Sequence, residues 1–494
     1  MENSNILLFI SITPLLGVLL LLLIPEKYDF YCINLAFFIS CLAFFLSLLL
    51  WLKFDSGYSS FQFLCTLNWL SLFNLYYTIG IDGISLFFII LTTFLTMLCI
   101  LVSWGSIIYR VKDYLMCFLL LEFLLIQVFS VLDLLLFYIF FESVLMPMFL
   151  IVGIWGSRER KIRAAYQFFL YTLIGSILML LGILIVYFQA GTTDLQVLWN
   201  LEFSERKQII LWLSFFFSFA VKIPMIPFHI WLPEAHAEAP TTGSVMLAGI
   251  LLKMGAYGFL RFSLPMFPLA TIFFTPFVFV LSLVAAVYAS LTTLRQVDLK
   301  KIIAYSSVSH MGFVTIGIFT LNIQGLEGSI FLMLSHGLIS SALFLCIGIL
   351  YDRYHTRIIK YYSGFVKIMP IFSIFFLFFS FANIGFPGTS SFVGELLILL
   401  GAFQSSIILV IFISFSIVLS AAYSIWMFNR IMFSTLKLEY FNTFQDVSRR
   451  EFMILFLIAL LILWMGIYPE SFLNEIHTST LNLLEQSTYS QNKG

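Results

Sequence analysis

Two lysines, three glutamates and two histidines stand deep inside long apolar runs: Lys222, Lys253, Glu122, Glu142, Glu395, His310 and His336. An ionised side chain at the centre of a bilayer costs about 2.5–3.5 kcal/mol on insertion scales, so such residues face a polar interior. Lys222 falls about 14 residues into its run, and Lys253 and Glu142 about 11. At that depth a lysine cannot reach the interface as a terminal one does. A single Glu–Lys pair of this kind is compatible with static pinning of helices. A series of acids, amines and imidazoles at one depth points instead to a proton or ion pathway. The coupling is elementary. With Glu142 ionised, a charged Lys222 is favoured; with the carboxylate withdrawn, the buried ammonium is driven to release its proton.

Other chemistries fit less well. A haem between His310 and His336 would need paired imidazoles on facing helices, and lysines beside such a site would be odd. His229, Glu234, His236 and Glu238, in PFHIWLPEAHAEAPTTG, have the composition of a metal-ligand set. Their spacing is not HExxH, and Pro233 interrupts it. The reading is a polar connection at the membrane surface, with a proton-uptake mouth as its functional version. The six cysteines form no CxxC, and no GxGxxG or GxxxxGK[ST] occurs, so nothing here binds a dinucleotide, ATP, zinc or an iron–sulfur cluster by a recognisable motif.

Two of the ionisable residues sit beside breaks. Pro224 and Pro227 follow Lys222, and Pro387-Gly388 precedes Glu395. Each proline removes a helix hydrogen bond and clashes with the preceding turn. Backbone freed at mid-membrane must be buried in protein or line a cavity. Interrupted helices in matching positions of two halves are the mark of inverted-repeat transporters. Spans four to eight would form one half and nine to thirteen the other. Counting from the basic side, Glu395 would exchange protons with the outer face, and Gly385, Gly388 and Ser390 would keep its cavity narrow and polar.

The elements that must hold these residues are membrane helices. Of 494 residues 61% are hydrophobic and only 10% charged, against about a quarter charged in soluble proteins. A soluble enzyme and a nucleic-acid module are excluded; 25 basic and 25 acidic residues balance to zero. Runs of about 20 apolar residues recur along the chain and predict an all-α polytopic membrane protein of fourteen spans. If they alternate, 18 basic residues fall on one side, Arg158, Arg160, Lys161 and Lys437 among them, and five, including Lys493, on the other. By the positive-inside rule both termini face away from the basic side. The predicted divisions are 1–113, a three-helix segment; 114–263 and 264–433, the two halves; and 434–494, a last span with a polar, fraying tail. MENSNILLF reads as the start of a retained first helix. The stretch Lys53–Asp82 would lie along the membrane surface.

Four stretches carry a resemblance over essentially the whole chain. They are FFESVLMPMFLIVGIWGSRERKIRAAYQFFLYTLIGS, AVKIPMIPFHIWLPEAHAEAPTTGSVMLAGILLKMGAYGFLRF, LRQVDLKKIIAYSSVSHMGF and NIGFPGTSSFVGE. They resemble the subunit 4 family of mitochondrial NADH dehydrogenase, antiporter-like subunits in the membrane arm of the proton-pumping respiratory complex I. The resemblance implies a proton-channel glutamate at Glu142, the broken-helix lysine at Lys222 and the central lysine at Lys253. It implies relay histidines at His310 and His336 and an exit-side acid at Glu395, with Glu122 an accessory. It also implies that FMN, iron–sulfur clusters and ubiquinone are bound by other subunits, none by this chain. The expected partners are the other membrane-arm subunits and the lipid bilayer, with no nucleic acid. The alternative is a cation/proton antiporter subunit, stand-alone or multi-subunit, because related antiporters share the Glu–Lys–Lys chain. A third is a structural subunit. The 59 phenylalanines suit an A+T-rich organelle genome and predict the mitochondrial inner membrane, both termini in the intermembrane space; a bacterial plasma membrane is the alternative.

Overall fold

In hydrocarbon every backbone N–H and C=O must be satisfied within the chain, so long apolar runs become helices. The computed structural model describes residues 4–70, 73–435 and 445–489; Lys437 and Lys493 lie outside them. Among the described residues twelve helices are long and apolar enough to cross a membrane. The two further expected spans are the interrupted ones. The first is Glu205–Lys222, a turn-rich break, then Trp231–Glu238. The second is Pro370–Ile384 and Ser390–Ser405, both too short to cross alone. One boundary moves: Glu395 belongs to Ser390–Ser405, which ends before the separate helix Ile407–Met432.

The chain forms two compact units, Met1–Ile223 with Ile250–Thr275 and Asn474–Gly494, and Pro224–Gly249 with Pro276–Leu473. It passes from the first to the second directly after the Lys222 helix.

In the first unit, Lys53–Asp82 does more than lie flat. It contains an antiparallel hairpin, Gln62–Leu70 paired with Leu75–Ile81, with Cys65 opposite Ile79. Asp82 then caps the helix Gly83–Ser106 in a capping box with Ser85. The same carboxylate takes both terminal nitrogens of Arg261, at 2.6 and 2.8 Å. Burial alone would raise the Asp82 carboxyl, but the Arg261 guanidinium and the Ser85 bonds hold it below the ordinary range. Residues 470–489 form a helix, Glu470–Tyr489, rather than a frayed tail. Its Ser479 hydroxyl accepts from the Gly83 N–H at 2.9 Å. A Cβ on Gly83 would collide with the Glu475 carbonyl, so only glycine admits the helix there. The polar composition of this segment suggested fraying; docking against the cap of a distant helix overrides it.

In the second unit the helices Leu299–Phe319 and Ile323–Tyr354 are buried almost throughout. Asn322 caps the latter by accepting from Gly325 N–H at 2.9 Å, and it donates to Gly401 O at 2.8 Å. That bond ties the helix to the end of Ser390–Ser405 and sets the depth of Glu395.

Candidate functional site: two groups of buried ionisable side chains

The first group lies in the first unit. Glu142 is the penultimate residue of the helix Leu134–Ser143, which Asp133 starts by accepting from Leu135 and Leu136 N–H, both at 2.9 Å. Pro147 supplies no N–H for the Ser143 carbonyl, and the regular helix is interrupted at Val144. Lys222 is the last residue of its helix and only 3% exposed. Its ammonium donates to Phe141 O at 3.3 Å and sits 4.1 Å above the Phe141 ring centroid. The charges of Glu142 and Lys222 act on one another, yet the lysine bonds to the carbonyl next to the carboxylate. Glu142 Oε1 is buried with no hydrogen-bond donor on it, and Ser176 stands beside the carboxylate.

Lys253 is fully buried in the segment Leu252–Gly258, between two π-helical stretches, Leu247–Leu251 and Phe259–Ser263. Such bulges turn side chains out of α register and collect at functional sites. Gly255 brings this segment against the Lys222 helix: a Cβ there would lie 2.8 Å from Phe219 O and 3.1 Å from Lys222 Cβ. Two lysines are thereby carried on helices in backbone contact.

The second group lies in the second unit. His310 Nδ1 is 3.5 Å from Glu395 Oε1, and the His310 and His336 rings are 5.6 Å apart between centroids. All three residues are no more than 6% exposed. The expected break is there. Gly385, at φ +84°, ends the helix Pro370–Ile384 in the left-handed region, and Gly388 follows at φ +92°. A Cβ on Gly385 would strike Glu395 Oε2, so this glycine both turns the chain and admits the carboxylate. The Ser391 hydroxyl donates to Ala382 O across the break.

Three residues near this group had not been singled out in the sequence. Asn383 Nδ2 reaches the Tyr423 hydroxyl at 3.5 Å and Ser424 Oγ at 3.3 Å, and Tyr423 acts electrostatically with Glu395. An asparagine closing a phenylalanine-rich run was the available signal. Nothing in the spacing joined it to residues 40 positions on.

The connection after Lys222 is polar and structured. Lys301 Nζ contacts Glu234 Oε1 at 2.5 Å, Lys300 Nζ donates to Ala239 O at 2.7 Å, and Arg357 lies 3.9 Å from Glu238. His236 stacks on Phe344 at 4.7 Å. Among the described residues no group of three or more His, Cys, Asp or Glu is placed to hold a metal ion. Glu122 is fully buried beside Thr96.

Comparison with known proteins gives a consistent picture. Residues 131–420 match the family described as NADH:quinone oxidoreductase/Mrp antiporter, TM. The chain is 74% identical to NADH-ubiquinone oxidoreductase chain 4 of Chondrus crispus, over 97% of this chain and 98% of that one. It is 59% identical to the Marchantia polymorpha protein of the same name, over 96% of each. Among solved structures it is similar to a chain of respiratory complex I from Thermus thermophilus with bound NADH. There the TM-score is 0.89 and identity 30%, covering 97% of this chain and 99% of that one. A chain of the Mrp complex from Dietzia sp. DQ12-45-1b shares the fold, with a TM-score of 0.86 at 18% identity, covering 99% of each.

Proposed function

Because the chain belongs to the NADH-ubiquinone oxidoreductase chain 4 family, the antiporter-like membrane-arm subunits of complex I, we propose that Glu142, Lys222, Lys253, His310, His336 and Glu395 carry protons across the membrane. The protein is a multi-pass inner-membrane subunit of NADH:ubiquinone oxidoreductase, and its module is driven by electron transfer elsewhere in the complex. This reading is supported over a stand-alone antiporter by the named relatives.

The observation that carries the proposal is the gathering itself. Residues scattered from 142 to 395 come together as two buried groups, each beside a broken helix. In the first, Glu142 holds Lys222 charged while its carboxylate is ionised. When a neighbouring subunit's movement withdraws that charge, the ammonium in a low dielectric gives up its proton. Lys253 is the next amine. In the second, His310 lies beside both His336 and Glu395, and a neutral imidazole can accept a proton on one nitrogen while donating from the other. Glu395 exchanges protons with the side opposite the basic connections, where both termini lie. The broken helices are the two-state elements such transfer needs.

The same proposal assigns residues 114–263 and 264–433 to two inverted halves, flanked by 1–113 and 434–494. FMN, iron–sulfur clusters and ubiquinone belong to other subunits. Glu142→Gln tests the core of it, since glutamine keeps size and polarity but cannot titrate. The assembled complex should oxidise NADH while proton uptake into sealed vesicles falls severalfold. Unchanged pumping by fully assembled Glu142→Gln enzyme would refute the role.

A further inference from the structure

Lys300 is one of the 18 basic residues that the span count places in connections, yet it is only 2% exposed. It is the second residue of the helix Leu299–Phe319, which also carries His310. Glu238, the last residue of the helix Trp231–Glu238, is buried as well, and so is Arg357, 3.9 Å from Glu238 Oε2. The Leu299 N–H donates to Arg357 O at 2.9 Å, which ties the start of the His310 helix to the arginine. All of these residues belong to the second unit. Glu234 stands four residues before Glu238 on the same helix face. It is part-exposed and pairs with Lys301 at 2.5 Å, so a line of two acids leads inward from the surface.

Glu238 and Lys300 repeat the arrangement of Glu142 and Lys222. Lys222 donates to the carbonyl of Phe141, next to Glu142 in sequence, and Lys300 donates to the carbonyl of Ala239, next to Glu238, at 2.7 Å. Each glutamate has one carboxylate oxygen buried with no hydrogen-bond donor on it, Oε1 of Glu142 and Oε2 of Glu238. In each pair the two charges act on one another. Stability does not account for the acid. A carboxylate at a helix C-terminus opposes the macrodipole, and a buried ion pair gains little over apolar packing. Charge is also unequal: among the described residues the two buried cations meet one buried carboxylate. The other acids that act on Lys300 are engaged or outside, since Asp298 accepts from the Lys300 backbone N–H as helix cap and Asp352 is exposed. Of the two cations, the guanidinium holds its proton and the amine can release one. About 15 Å of helix separates Lys300 from His310, and the hydroxyls of Ser306 and Ser307 on that stretch are buried.

We propose that Glu238 and Lys300 form a second Glu–Lys exchange pair. It takes protons from the side of the basic connections by way of Glu234 and passes them, through water and the Ser306 and Ser307 hydroxyls, to His310, a role that rests on the proton-carrying reading of the two groups above. In the exchange the Glu238 O–H breaks as a Lys300 N–H forms, leaving a carboxylate near Arg357 and an ammonium on Ala239 O. Release of that proton toward His310 returns the amine to its neutral form. The test compares proton uptake per NADH oxidised, in sealed vesicles of the assembled complex, for Lys300→Arg, Lys300→Gln, Lys300→His and Glu142→Gln. Arginine keeps the charge and the donor but holds its proton, whereas histidine titrates. Uptake in Lys300→Arg and Lys300→Gln should fall severalfold with NADH oxidation retained, and Lys300→His should keep more of it than either. A lysine that only positions the connection would give the reverse order, with arginine best. Wild-type uptake in Lys300→Arg, or Lys300→His no better than Lys300→Gln, would overturn the proposal. Where Lys300→Arg fails to assemble, the histidine and glutamine variants decide; failure of all three would make Lys300 structural and overturn it too. Wild-type uptake in Glu142→Gln would refute the parent reading, whereas loss there with wild-type uptake in Lys300→Arg would refute the Glu238–Lys300 pair alone.

Discussion

The Glu395 carboxylate is placed by three neighbours: an imidazole 3.5 Å away, a glycine that leaves room for one oxygen, and a tyrosine hydroxyl tied to Asn383. If titration is its task, size and charge should separate cleanly. Glu395→Asp keeps an acid one methylene short and should retain partial pumping in sealed vesicles. Glu395→Gln keeps the length and should block it, with the Lys222–Phe141 contact unchanged. Equal pumping by the two variants would show that a proton on this residue is not required. The identities of such residues were readable without a structure, because an ionisable group in a run of leucine and phenylalanine has no cheap explanation. Their grouping was only partly readable. Depth along a helix follows from counting, but which face points where depends on packing. Lys222 was expected to couple to Glu142 directly or through one water; the two charges act on one another, and the lysine's hydrogen bond goes to the carbonyl one residue earlier. Asn383, Tyr423 and Ser424 join through contacts some 40 residues apart, which no local pattern encodes.

At the scale of elements, the break at Gly385–Thr389 puts a backbone conformation under strict demand. Gly385→Ala would place a Cβ at φ +84° against Glu395 Oε2. The left-handed conformation alone costs about 1–2 kcal/mol, and the carboxylate must move as well. Pumping should therefore drop toward that of Glu395→Gln while thermal stability of the assembled complex falls modestly; wild-type pumping in Gly385→Ala would deny the close approach any role. The cap at Asp82 makes a different prediction. Its carboxyl is held below the ordinary range in the folded chain, so its stabilisation is full above the unfolded value and is lost only as pH falls through the folded one. Asp82→Asn leaves Arg261 buried without a counter-charge, at about 3–5 kcal/mol. The stability gap between wild type and Asp82→Asn should stay constant from about pH 8 to 5 and narrow only below the ordinary carboxylate range. A gap that narrowed near neutrality would assign the effect to another group. Spans and breaks were legible because lipid forbids charge and proline forbids helix bonds. The π-helical stretches around Lys253 were not, since packing rather than composition produces them. Nor was the hairpin: QFLCTLNWL alternates too weakly to separate a strand from a surface-lying stretch.

For the molecule as a whole, the asymmetry of 18 basic residues against 5 rested on span parity alone, and parity survives when a boundary such as that near Glu395 moves by a few residues. What parity could not reveal is the use made of residues 474 onward. They belong to the first unit, where Ser479 meets Gly83 across 396 positions of sequence. A chain ended at Pro469 keeps every spanning helix but uncovers the cap of Gly83–Ser106. It should insert into the membrane normally yet accumulate in the assembled complex to well below wild-type level, measured by native gel electrophoresis. Full incorporation would show that the docked helix is dispensable. The same contact also carries a consequence for synthesis. The first unit begins to form with the earliest helices to leave the ribosome, yet one of its walls is made only after nearly 400 more residues have been inserted. During that interval the early helices are a nascent intermediate with an open seam, within reach of insertion factors and quality-control proteases. Closure of the seam by the Glu470–Tyr489 helix therefore waits until translation has run past residue 479, so an early contact of the fold depends on a late segment of the chain.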